Sequence, residues 1–450
     1  MPEHDDTIVA ISTPPGRGGI GIVRLSGPAA RTIAEPLLKL RHPLAPAQAR
    51  FAEIVDSTGE TLDEAVVTLF EKPHSYTSED IVEIAAHGSP VLLDHLLRQC
   101  TAAGARLAEP GEFTQRAFLS GRLDLTQAEA VSDLIEATTL HQARIAAQQL
   151  GGSLSRQITP IKQQLITLIA ALEAGIDFAE DDIDLLPTNE ISKQIAEIKG
   201  PLAALEKTFA YGRIVRDGFS LAIVGRPNAG KSSLFNRLIQ RDRAIVTASP
   251  GTTRDLITER VSLEGIPVEL IDTAGLREST SEAETLGIAK SREAMAEADM
   301  VLLVLDATQP LHAEDETALA ALAHRDFLIV INKIDLSIDS LSIRERLRAL
   351  ETSALTGAGI PELRRAILNR LTKEAQTTET TLLTNLRQQQ AVSTACTALA
   401  RAQHTVAAAI PHEMILLDLY EALNALDTLT GTTTIDDVLN LVFSRFCIGK

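Results

Sequence analysis

A chain of 450 residues is too long for one ordinary hydrophobic core, and about two to four domains are expected. Its formal net charge of −18 argues against a protein that binds nucleic acid by general phosphate neutralisation, so any RNA contact must use a local basic patch or a partner protein. The three cysteines are far apart, no secretory signal is visible and no apolar run reaches about 18 residues, so we expect a cytoplasmic chain without a disulfide framework, zinc site or membrane helix.

Residues 1–120 have the pattern of a mixed α and β domain. Alternating apolar runs bounded by Pro and Gly predict strands, and the turn STGE joins two of them into a hairpin. Runs with helical periodicity predict two helices, the first with Pro28 in its first turn. The predicted strands are TIVAIST, GIVRLSG, ARFAEIVD, TLDEAVVTLFEK and EDIVEIAA, and the predicted helices are PAARTIAEPLLKL and VLLDHLLRQC.

Helical periodicity replaces this pattern at Thr126 and continues to about Phe209. Thr126 and Glu129 have the spacing of a capping box at its start. Residues 219–372 then alternate strand and helix, and helical periodicity returns from about 378 to the end. This order predicts an α/β domain inserted into a helical domain, with domain boundaries at 1–120, 121–215, 216–375 and 376–450.

The inserted segment contains short apolar runs that suit strands buried on both faces of a sheet. Such runs favour a doubly wound, mostly parallel sheet, and LITERVSLEGIPVELI predicts one antiparallel hairpin within it. The predicted strands are FSLAIVG, LITERVSLEG, IPVELIDTAG, MVLLVLDAT, DFLIVINKI and LRALETSA.

A phosphate-binding motif follows the first of these strands. The run GRPNAGKS, from Gly225 to Ser232, matches G-x-x-x-x-G-K-[ST] and opens a helix. Its backbone N–H groups and the helix N-terminus suit phosphates, Lys231 can reach the β- and γ-phosphates, and Ser232 can ligate Mg²⁺. Taken alone, the run could still be a Gly-rich turn without a ligand.

Further motifs at strand ends argue against a Gly-rich turn without a ligand and indicate which base is bound. Asp272 in DTAG can hold the Mg²⁺ shell, and Asp335 in NKID can accept hydrogen bonds from guanine N–H groups that adenine lacks. The GTTRD run lies where a switch segment belongs, and its Thr253 can complete the Mg²⁺ shell. The sequence thus predicts GTP at the carboxyl ends of the strands, contacted by Asn228, Ala229, Gly230, Lys231, Ser232, Ser233, Thr247, Ala248, Ser249, Pro250, Gly251, Thr252, Thr253, Asp272, Thr273, Ala274, Gly275, Asn332, Lys333, Asp335, Ser353, Ala354 and Leu355.

The position after DTAG is Leu276, where many small GTPases have a glutamine that orients the attacking water. Leucine cannot orient water, so hydrolysis must use another group. Glu278, Glu282 and Glu284 follow in a polar segment, and each is either a water-positioning carboxylate or an ordinary solvated one. From the residues alone, each of the three is better interpreted as an ordinary solvated carboxylate.

Long runs of the chain resemble the MnmE (TrmE) family of tRNA-modification GTPases. They include TIVAISTPPGRGGIGIVRLSG, PGEFTQRAFLSGRLDLTQAEAVSDLI, GRPNAGKSSLFN, PGTTRD, DTAGLRE and the terminal FCIGK. The resemblance implies an N-terminal tetrahydrofolate-binding domain that dimerises, a helical domain and an inserted GTPase domain. It also implies GTP hydrolysis activated by potassium-dependent dimerisation of the GTPase domains, and modification of C5 of the wobble uridine of certain tRNAs together with a flavin-dependent partner subunit.

The same resemblance assigns further residues. It implies K⁺ ligation by Asn228, Thr247, Ser249 and Thr252, and it selects Glu284 as the carboxylate that orients water. It implies that Arg24, Glu83, Arg122 and Lys450 bind a folate, as 5-formyl- or methylene-tetrahydrofolate. The resemblance also implies a role for Cys447 in the modification. Cys100 and Cys396, by contrast, lie within apolar helical patterns of the sequence and are expected in the core. Arg122 stands where the family can have Lys, and Ser89 stands where it typically has a second Gly.

Two other readings of the sequence remain open at this point. A ribosome-assembly GTPase would be expected to carry an appended RNA-binding domain with a basic surface, whereas the flanks here are acidic or neutral helices without RRM-like or KH-like motifs. The N-terminal domain could also be a dimerisation scaffold without a folate role. We expect GTP or GDP, a second copy of the chain, the flavin-dependent subunit in a heterotetramer, and tRNA, bound directly or through that subunit, as partners, and no membrane.

Overall fold

The computed structural model describes residues 6–177, 187–239, 257–272, 297–336, 347–371, 381–431 and residue 449. Its contacts divide the chain into two compact units, which are described separately. The first unit contains Met1–Ser132, Gln149–Ile195 and Thr397–Lys450, and the second contains Asp133–Gln148 and Ala196–Cys396. Within these described ranges, no helix combines the length and apolar character that a membrane crossing requires.

One sheet in the first unit consists of β1 (Ile8–Ile11), β2 (Gly18–Ser26), β3 (Leu38–Leu40), β4 (Ala49–Val55), β5 (Thr61–Phe70), β6 (Ile81–Gly88) and β7 (Arg106–Leu107). The strand order is β3-β4-β5-β6-β2-β1-β7, and every pair is antiparallel except β1 with β7. Alternate residues, such as Val23 and Leu25, are buried against helices α1 (Ala30–Ala34) and α2 (Pro90–Ala102). The strands predicted from alternation are confirmed.

The helix predicted over PAARTIAEPLLKL is wrong beyond its first turns. Regular helix ends at Ala34, a 3₁₀ turn spans Glu35–Leu37, and β3 follows at once. Pro36 has no N–H group to continue the helical hydrogen bonds, and Leu38 is buried as part of the sheet edge against β4. Tertiary pairing therefore outweighs the helical periodicity of this run.

Helices α3 (Glu112–Leu119), α4 (Leu125–Glu136), α5 (Leu140–Leu150), α6 (Ser153–Asp177), α7 (Thr188–Lys207) and α8 (Phe209–Asp217) follow the sheet. The predicted helical stretch is confirmed, but its capping box lies two residues earlier than predicted. The carboxylate of Asp124 accepts a hydrogen bond from the backbone N–H of Gln127 (2.9 Å), and Gln127 Oε1 accepts one from the Asp124 N–H (3.0 Å). Thr126 and Glu129 are instead buried within the helix.

A six-stranded sheet forms the centre of the second unit. It contains β8 (Phe219–Val224), β9 (Ile257–Leu263), β10 (Ile266–Asp272), β11 (Met300–Asp306), β12 (Phe327–Asn332) and β13 (Leu350–Glu351), in the order β13-β12-β11-β8-β10-β9. All neighbours are parallel except the hairpin β9–β10. Its turn residues Glu264 (φ 50°) and Gly265 (φ 92°) both have positive φ, as a tight two-residue hairpin turn requires.

The predicted fold class, with its doubly wound, mostly parallel sheet, is confirmed. Strand β11 is buried from Met300 to Leu305, which agrees with the uninterrupted apolar run in the sequence. Helices α9 (Lys231–Ile239), α10 (Ala313–Ala321) and α11 (Ile360–Leu371) connect or follow the strands. The strand predicted over LRALETSA is reduced to the two residues of β13 at the sheet edge.

The last described helices are α12 (Leu386–Ala407) and α13 (His412–Thr430). In the first unit α13 packs against α6, and both helices contain fully buried leucines, for example Leu168 and Leu419. Cys100 on α2 and Cys396 on α12 are buried free thiols, so their predicted place in the core is confirmed.

Candidate functional site

The predicted phosphate-binding loop lies between β8 and α9 and has a backbone that demands glycine at both ends. Gly225 has φ 146° and Gly230 has φ 90°. A Cβ on Gly225 would lie 2.2 Å from the carbonyl oxygen of Val304, and a Cβ on Gly230 would lie 2.2 Å from Nδ2 of Asn332. Glycine is therefore required at both positions by space as well as by conformation. Asn228, with φ 66°, is exposed at the crest of the loop.

Helix α9 begins at Lys231, so Ser232 and Ser233 stand in its first turn, where backbone N–H groups have no helical acceptor. Lys231 is buried, and its Nζ donates hydrogen bonds to the carbonyl oxygens of Gly225 (2.8 Å) and Arg226 (2.9 Å). The ammonium group thus spans the loop. Both serines are exposed, so their hydroxyls are accessible to a ligand or metal ion.

Asn332, at the end of β12, joins the phosphate loop to the segment after β13. Its side chain is almost fully buried at 1% exposure. Nδ2 donates to the carbonyl oxygen of Ala229 (3.1 Å), and Oδ1 accepts from the backbone N–H of Ala354 (3.0 Å) and from Thr352 Oγ1 (3.4 Å). One amide therefore fixes the positions of three of the predicted GTP-binding segments relative to one another.

The predicted base-recognition carboxylate lies beside that amide. Asp335 Oδ1 accepts a hydrogen bond from Ser353 Oγ at 2.5 Å, which ties the NKID turn to the segment Ser353–Leu355. Lys333 takes φ 68°, and its Nζ contacts Asp306 Oδ2 at 2.7 Å. The structure therefore brings Asn332, Lys333, Asp335, Ser353 and Ala354 together, whereas the side chain of Leu355 is 80% exposed.

Asp306 was missed by the sequence prediction, although it ends a buried strand in the same way as the predicted residues do. Burial raises its pKa, but hydrogen bonds from Lys333 and Thr308 outweigh burial and hold the pKa below its ordinary value. The carboxylate is therefore charged at neutral pH and fixes the Lys333 side chain. An Asp directly after MVLLVL is the signal that could have identified it.

Several predicted residues fall where the structure gives no description. Asp272 is the last residue of β10 and is paired in register with Ile257. The remaining predicted GTP, metal and catalytic residues outside the described ranges are Thr247, Ala248, Ser249, Pro250, Gly251, Thr252, Thr253, Thr273, Ala274, Gly275, Glu284, Cys447 and Lys450.

Two of the predicted folate residues, Arg24 and Glu83, lie on inner strands of the sheet in the first unit. Arg24 on β2 and Glu83 on β6 are paired in register, and their side chains form an ion pair (Nη2 to Oε1, 2.7 Å). The carbonyl oxygen of Gly449 accepts hydrogen bonds from Ser12 Oγ (2.9 Å) and Arg24 Nη1 (3.4 Å). The residue preceding Lys450 thus lies directly beside the Arg24–Glu83 pair.

Arg122, in the same unit, stacks against the ring of Tyr76. Its Cζ is 5.4 Å from the centre of the Tyr76 ring, and Arg24 has a similar place over Phe113 at 5.6 Å. Neither aromatic residue was selected from the sequence, because a single Tyr or Phe in an α/β domain has no pattern that distinguishes a binding site from a core. Their value as candidates comes from the cations that stack on them.

Ser89 stands where the MnmE family typically has a second Gly, and the backbone at this serine is unstrained. Ser89 has φ −87° and ψ 118° at the start of α2, which any residue can adopt. The close approach is at Gly88, where a Cβ would lie 2.7 Å from the carbonyl oxygen of Gly18. The glycine that this turn requires is therefore present.

Two family models of known proteins match this chain, one for its N-terminal domain and one for the rest. Residues 7–122 match the family model "GTP-binding protein TrmE N-terminus", and residues 125–447 match the model "MnmE helical domain". The protein named tRNA modification GTPase MnmE of Koribacter versatilis is 59% identical, over 99% of both chains. The chain belongs to the MnmE family. The MnmE protein of Aquifex aeolicus is 42% identical, over 99% of this chain and all of that one.

The second MnmE model spans residues on both sides of the α/β unit, which agrees with a GTPase domain inserted into the helical domain. The TrmE N-terminus model includes Arg24, Glu83 and Arg122. Among solved structures, the G domain of the FeoB iron transporter of T. maritima is 28% identical, over 35% of this chain and 99% of that one, with a TM-score of 0.26.

Proposed function

We propose that this chain binds GTP through the loop of Gly225–Ser232 and hydrolyses it, and that hydrolysis serves tRNA modification. The observation that carries the proposal is the buried amide of Asn332, which ties the phosphate loop to the segments of Asp335 and Ala354. This arrangement fits a nucleotide whose phosphates and base are held by different strand ends. Membership in the MnmE family supports the tRNA role.

Base selection is assigned to Asp335. An ionised carboxylate accepts hydrogen bonds from two guanine N–H groups, and adenine would leave it unpaired. The D335N variant should lose at least about 100-fold in GTP affinity and gain affinity for xanthosine triphosphate, because an amide can pair with the xanthine ring in its place. Unchanged GTP affinity in this variant would contradict the assignment.

Ser232 and Thr253 are proposed to hold Mg²⁺, which would neutralise charge on the phosphate oxygens when bound. The exposed hydroxyl of Ser232 in the first turn of α9 is compatible with this role. Lys231 is assigned to the phosphates, since its Nζ already lies across the loop. On this proposal the backbone N–H groups from Asn228 to Ser233 orient the phosphates.

Hydrolysis is proposed to need two further groups, because Leu276 cannot orient water. Glu284 would position the attacking water, and Asn228, Thr247, Ser249 and Thr252 would hold K⁺ at the loop. A bound cation there would supply positive charge where negative charge develops in the transition state. The exposed Asn228 side chain supports this assignment. On this proposal the K⁺-loaded site forms when the GTPase domains of two chains associate.

The test is steady-state GTP hydrolysis in KCl and in NaCl at equal ionic strength, over a range of protein concentrations. Faster turnover in KCl that rises with protein concentration supports the proposal, and equal rates in both salts would remove the role of Asn228. The E284A variant should retain GTP affinity and lose kcat. A loss of affinity with unchanged kcat would instead assign Glu284 to binding.

The N-terminal domain is proposed to bind 5-formyl- or methylene-tetrahydrofolate as a one-carbon donor. Glu83 suits the N–H donors of a pterin, and Arg24, Arg122 and Lys450 suit the carboxylates of its glutamate tail. Calorimetry with 5-formyl-tetrahydrofolate should show binding to the wild type and weaker binding to R24A. Equal binding in the two proteins, or none in either, would support a dimerisation scaffold instead.

The remaining assignments concern partners and chain organisation. We propose a cytoplasmic homodimer that joins a flavin-dependent subunit in a heterotetramer and modifies C5 of the wobble uridine, with a role for Cys447 in that chemistry. The proposed domains are 1–120, 121–215, 216–375 and 376–450. Co-purification of the flavin-bearing subunit with wild-type protein, and loss of modified uridine in a C447S strain, would test these points.

A further inference from the structure

Tyr76 occupies a fixed position in the first unit. Its ring packs against the buried residues Ile8, Ala10 and Phe113. Its hydroxyl is 2.9 Å from Oγ1 of Thr114, which is fully buried. A ring held at both its apolar edge and its polar tip has little freedom to move, so a group stacked on it is positioned as well.

The group stacked on that ring is Arg122. Its guanidinium carbon lies 5.4 Å from the ring centre, and Nη1 donates a hydrogen bond to the carbonyl oxygen of Ser75, the residue before Tyr76. No carboxylate in the described part of the chain forms an ion pair with Arg122. The cation is therefore positioned by a neutral ring and a backbone carbonyl, and its charge remains available to a ligand.

A cleft of about 460 Å³ opens beside this contact, between the 73–78 loop and the turn from Ser120 to Arg122. Tyr76 also lies within reach of the charges of both Arg24 and Arg122. Burial raises the pKa of Tyr76, while its bond to Thr114 and those two cations oppose the rise. The ring consequently lies near Arg24 and Arg122, two of the three cations of the folate proposal.

The 73–78 loop has a further anchor besides Tyr76. Thr77 Oγ1 lies 2.7 Å from Ser26 Oγ, and the Ser26 hydroxyl donates a hydrogen bond to Glu79 Oε2 at 2.7 Å. Glu79 is in turn paired with the buried Arg116 (3.2 Å). These anchors lie beyond the tyrosine, so removal of the ring should leave the loop in place and release mainly Arg122.

We propose that Tyr76 is a positioning residue of the folate site: its ring holds the Arg122 guanidinium where it meets the carboxylates of the glutamate tail. This inference rests on the proposed folate function. The ring face makes the contact with Arg122, whereas the hydroxyl only helps the buried neighbours to fix the ring, because stacking involves the aromatic face. Arginine is also specific to the arrangement, since the compact ammonium of a lysine lacks the planar group that stacks on the ring.

The experiment is calorimetric titration of the full-length protein with 5-formyl-tetrahydrofolate. The Y76F variant keeps the ring and should bind within about threefold of the wild type. The Y76L variant keeps apolar volume but loses stacking, and should bind about 3- to 30-fold more weakly. R122A should bind more weakly too, and the Y76L/R122A double variant should bind no more weakly than R122A, because Tyr76 acts through Arg122.

A second ligand separates positioning from a general loss of structure. 5-Formyl-tetrahydropteroate has the pterin but no glutamate tail, so Y76L and the wild type should bind it equally. Weaker binding of this tail-free ligand by Y76L, or additive losses in the double variant, would overturn the inference while leaving the folate function standing. Absence of folate binding by the wild type itself would overturn the folate function, and the inference with it.

Discussion

Replacing Arg116 by methionine tests whether a buried charge network stabilises the N-terminal domain. The Arg116 side chain is 1% exposed and contacts Asp6 Oδ1 (2.8 Å), Glu79 Oε1 (3.2 Å) and Glu112 Oε1 (2.9 Å). Arg106 shares Glu112 and Asp6. Methionine would fill similar volume but leave Glu112, itself 8% exposed, with one cation fewer.

Removing one partner of a buried ion pair costs about 3–5 kcal/mol. The lower end applies here, because Asp6 is 43% exposed and can be hydrated, and because Arg106 still neutralises Glu112. A cost of about 3 kcal/mol is roughly a 160-fold change in an opening equilibrium. Native-state hydrogen exchange should therefore show amides of β1 and α3 exchanging roughly 160-fold faster in R116M.

The matched control is R98M on α2. Arg98 forms an ion pair with Asp94 at the surface, where their side chains are 78% and 52% exposed, and water replaces the lost contact. Exchange in the control should change less than threefold. Equal effects of the two substitutions, or no effect of R116M, would refute the argument that this network stabilises the domain because it is buried.

The same network predicts an acid dependence. Burial raises the pKa of Glu112, but hydrogen bonds from Arg106, the Glu109 backbone and Arg116 outweigh it and hold the pKa below the ordinary 4.5. A carboxylate with a lowered folded-state pKa stabilises above its unfolded pKa, and this stabilisation is lost as pH falls through the folded value. The difference in protection between wild type and R116M should thus shrink below about pH 4.5.

Further predictions concern helix packing and thiol reactivity. Gly212→Ala in α8 should destabilise the protein by about 1–3 kcal/mol in urea denaturation, because its Cβ would lie 2.0 Å from the Leu383 carbonyl oxygen. Gly200→Ala in α7 meets nothing within 4 Å and should stabilise by about 0.5–1 kcal/mol; the reverse order would contradict the packing. Burial raises the pKa of Cys100 to about 12 and that of Cys396 to about 11, so peptide mapping after iodoacetamide at pH 8 should find both unlabelled in native protein and labelled in urea.

Much of the fold follows from local patterns in the sequence. The apolar run MVLLVL is a buried strand, and the hairpin around Glu264 and Gly265 forms where the alternating runs meet. The errors arise where two local patterns compete. Asp124 and Thr126 both begin a capping box by spacing, and only the fold decides that Asp124 lies outside the helix while Thr126 is buried inside it.

The two candidate sites differ in how much the sequence reveals. The GTP site could be predicted because each of its motifs is contiguous and placed at a strand end, so that the parallel sheet brings them together without further information. Even so, the contacts of Asn332 with Ala229 and Ala354 span more than twenty residues each and only the structure supplies them.

The residues of the N-terminal site do not form contiguous sequence motifs. Arg24 lies on a strand and Tyr76 in a loop, and Arg122 follows a helix. Gly449, from the far end of the chain, contributes only a carbonyl oxygen, which accepts a hydrogen bond from Arg24. A cation becomes useful to a ligand when its immediate partners leave its charge unneutralised, and that property depends on the ring and carbonyl beside it. Glu83 neutralises Arg24, whereas no described carboxylate pairs with Arg122. The two arginines therefore differ in the charge that is available to a ligand, and the sequence alone does not reveal this difference. On this reasoning binding of the glutamate tail of a folate should depend more on Arg122 than on Arg24.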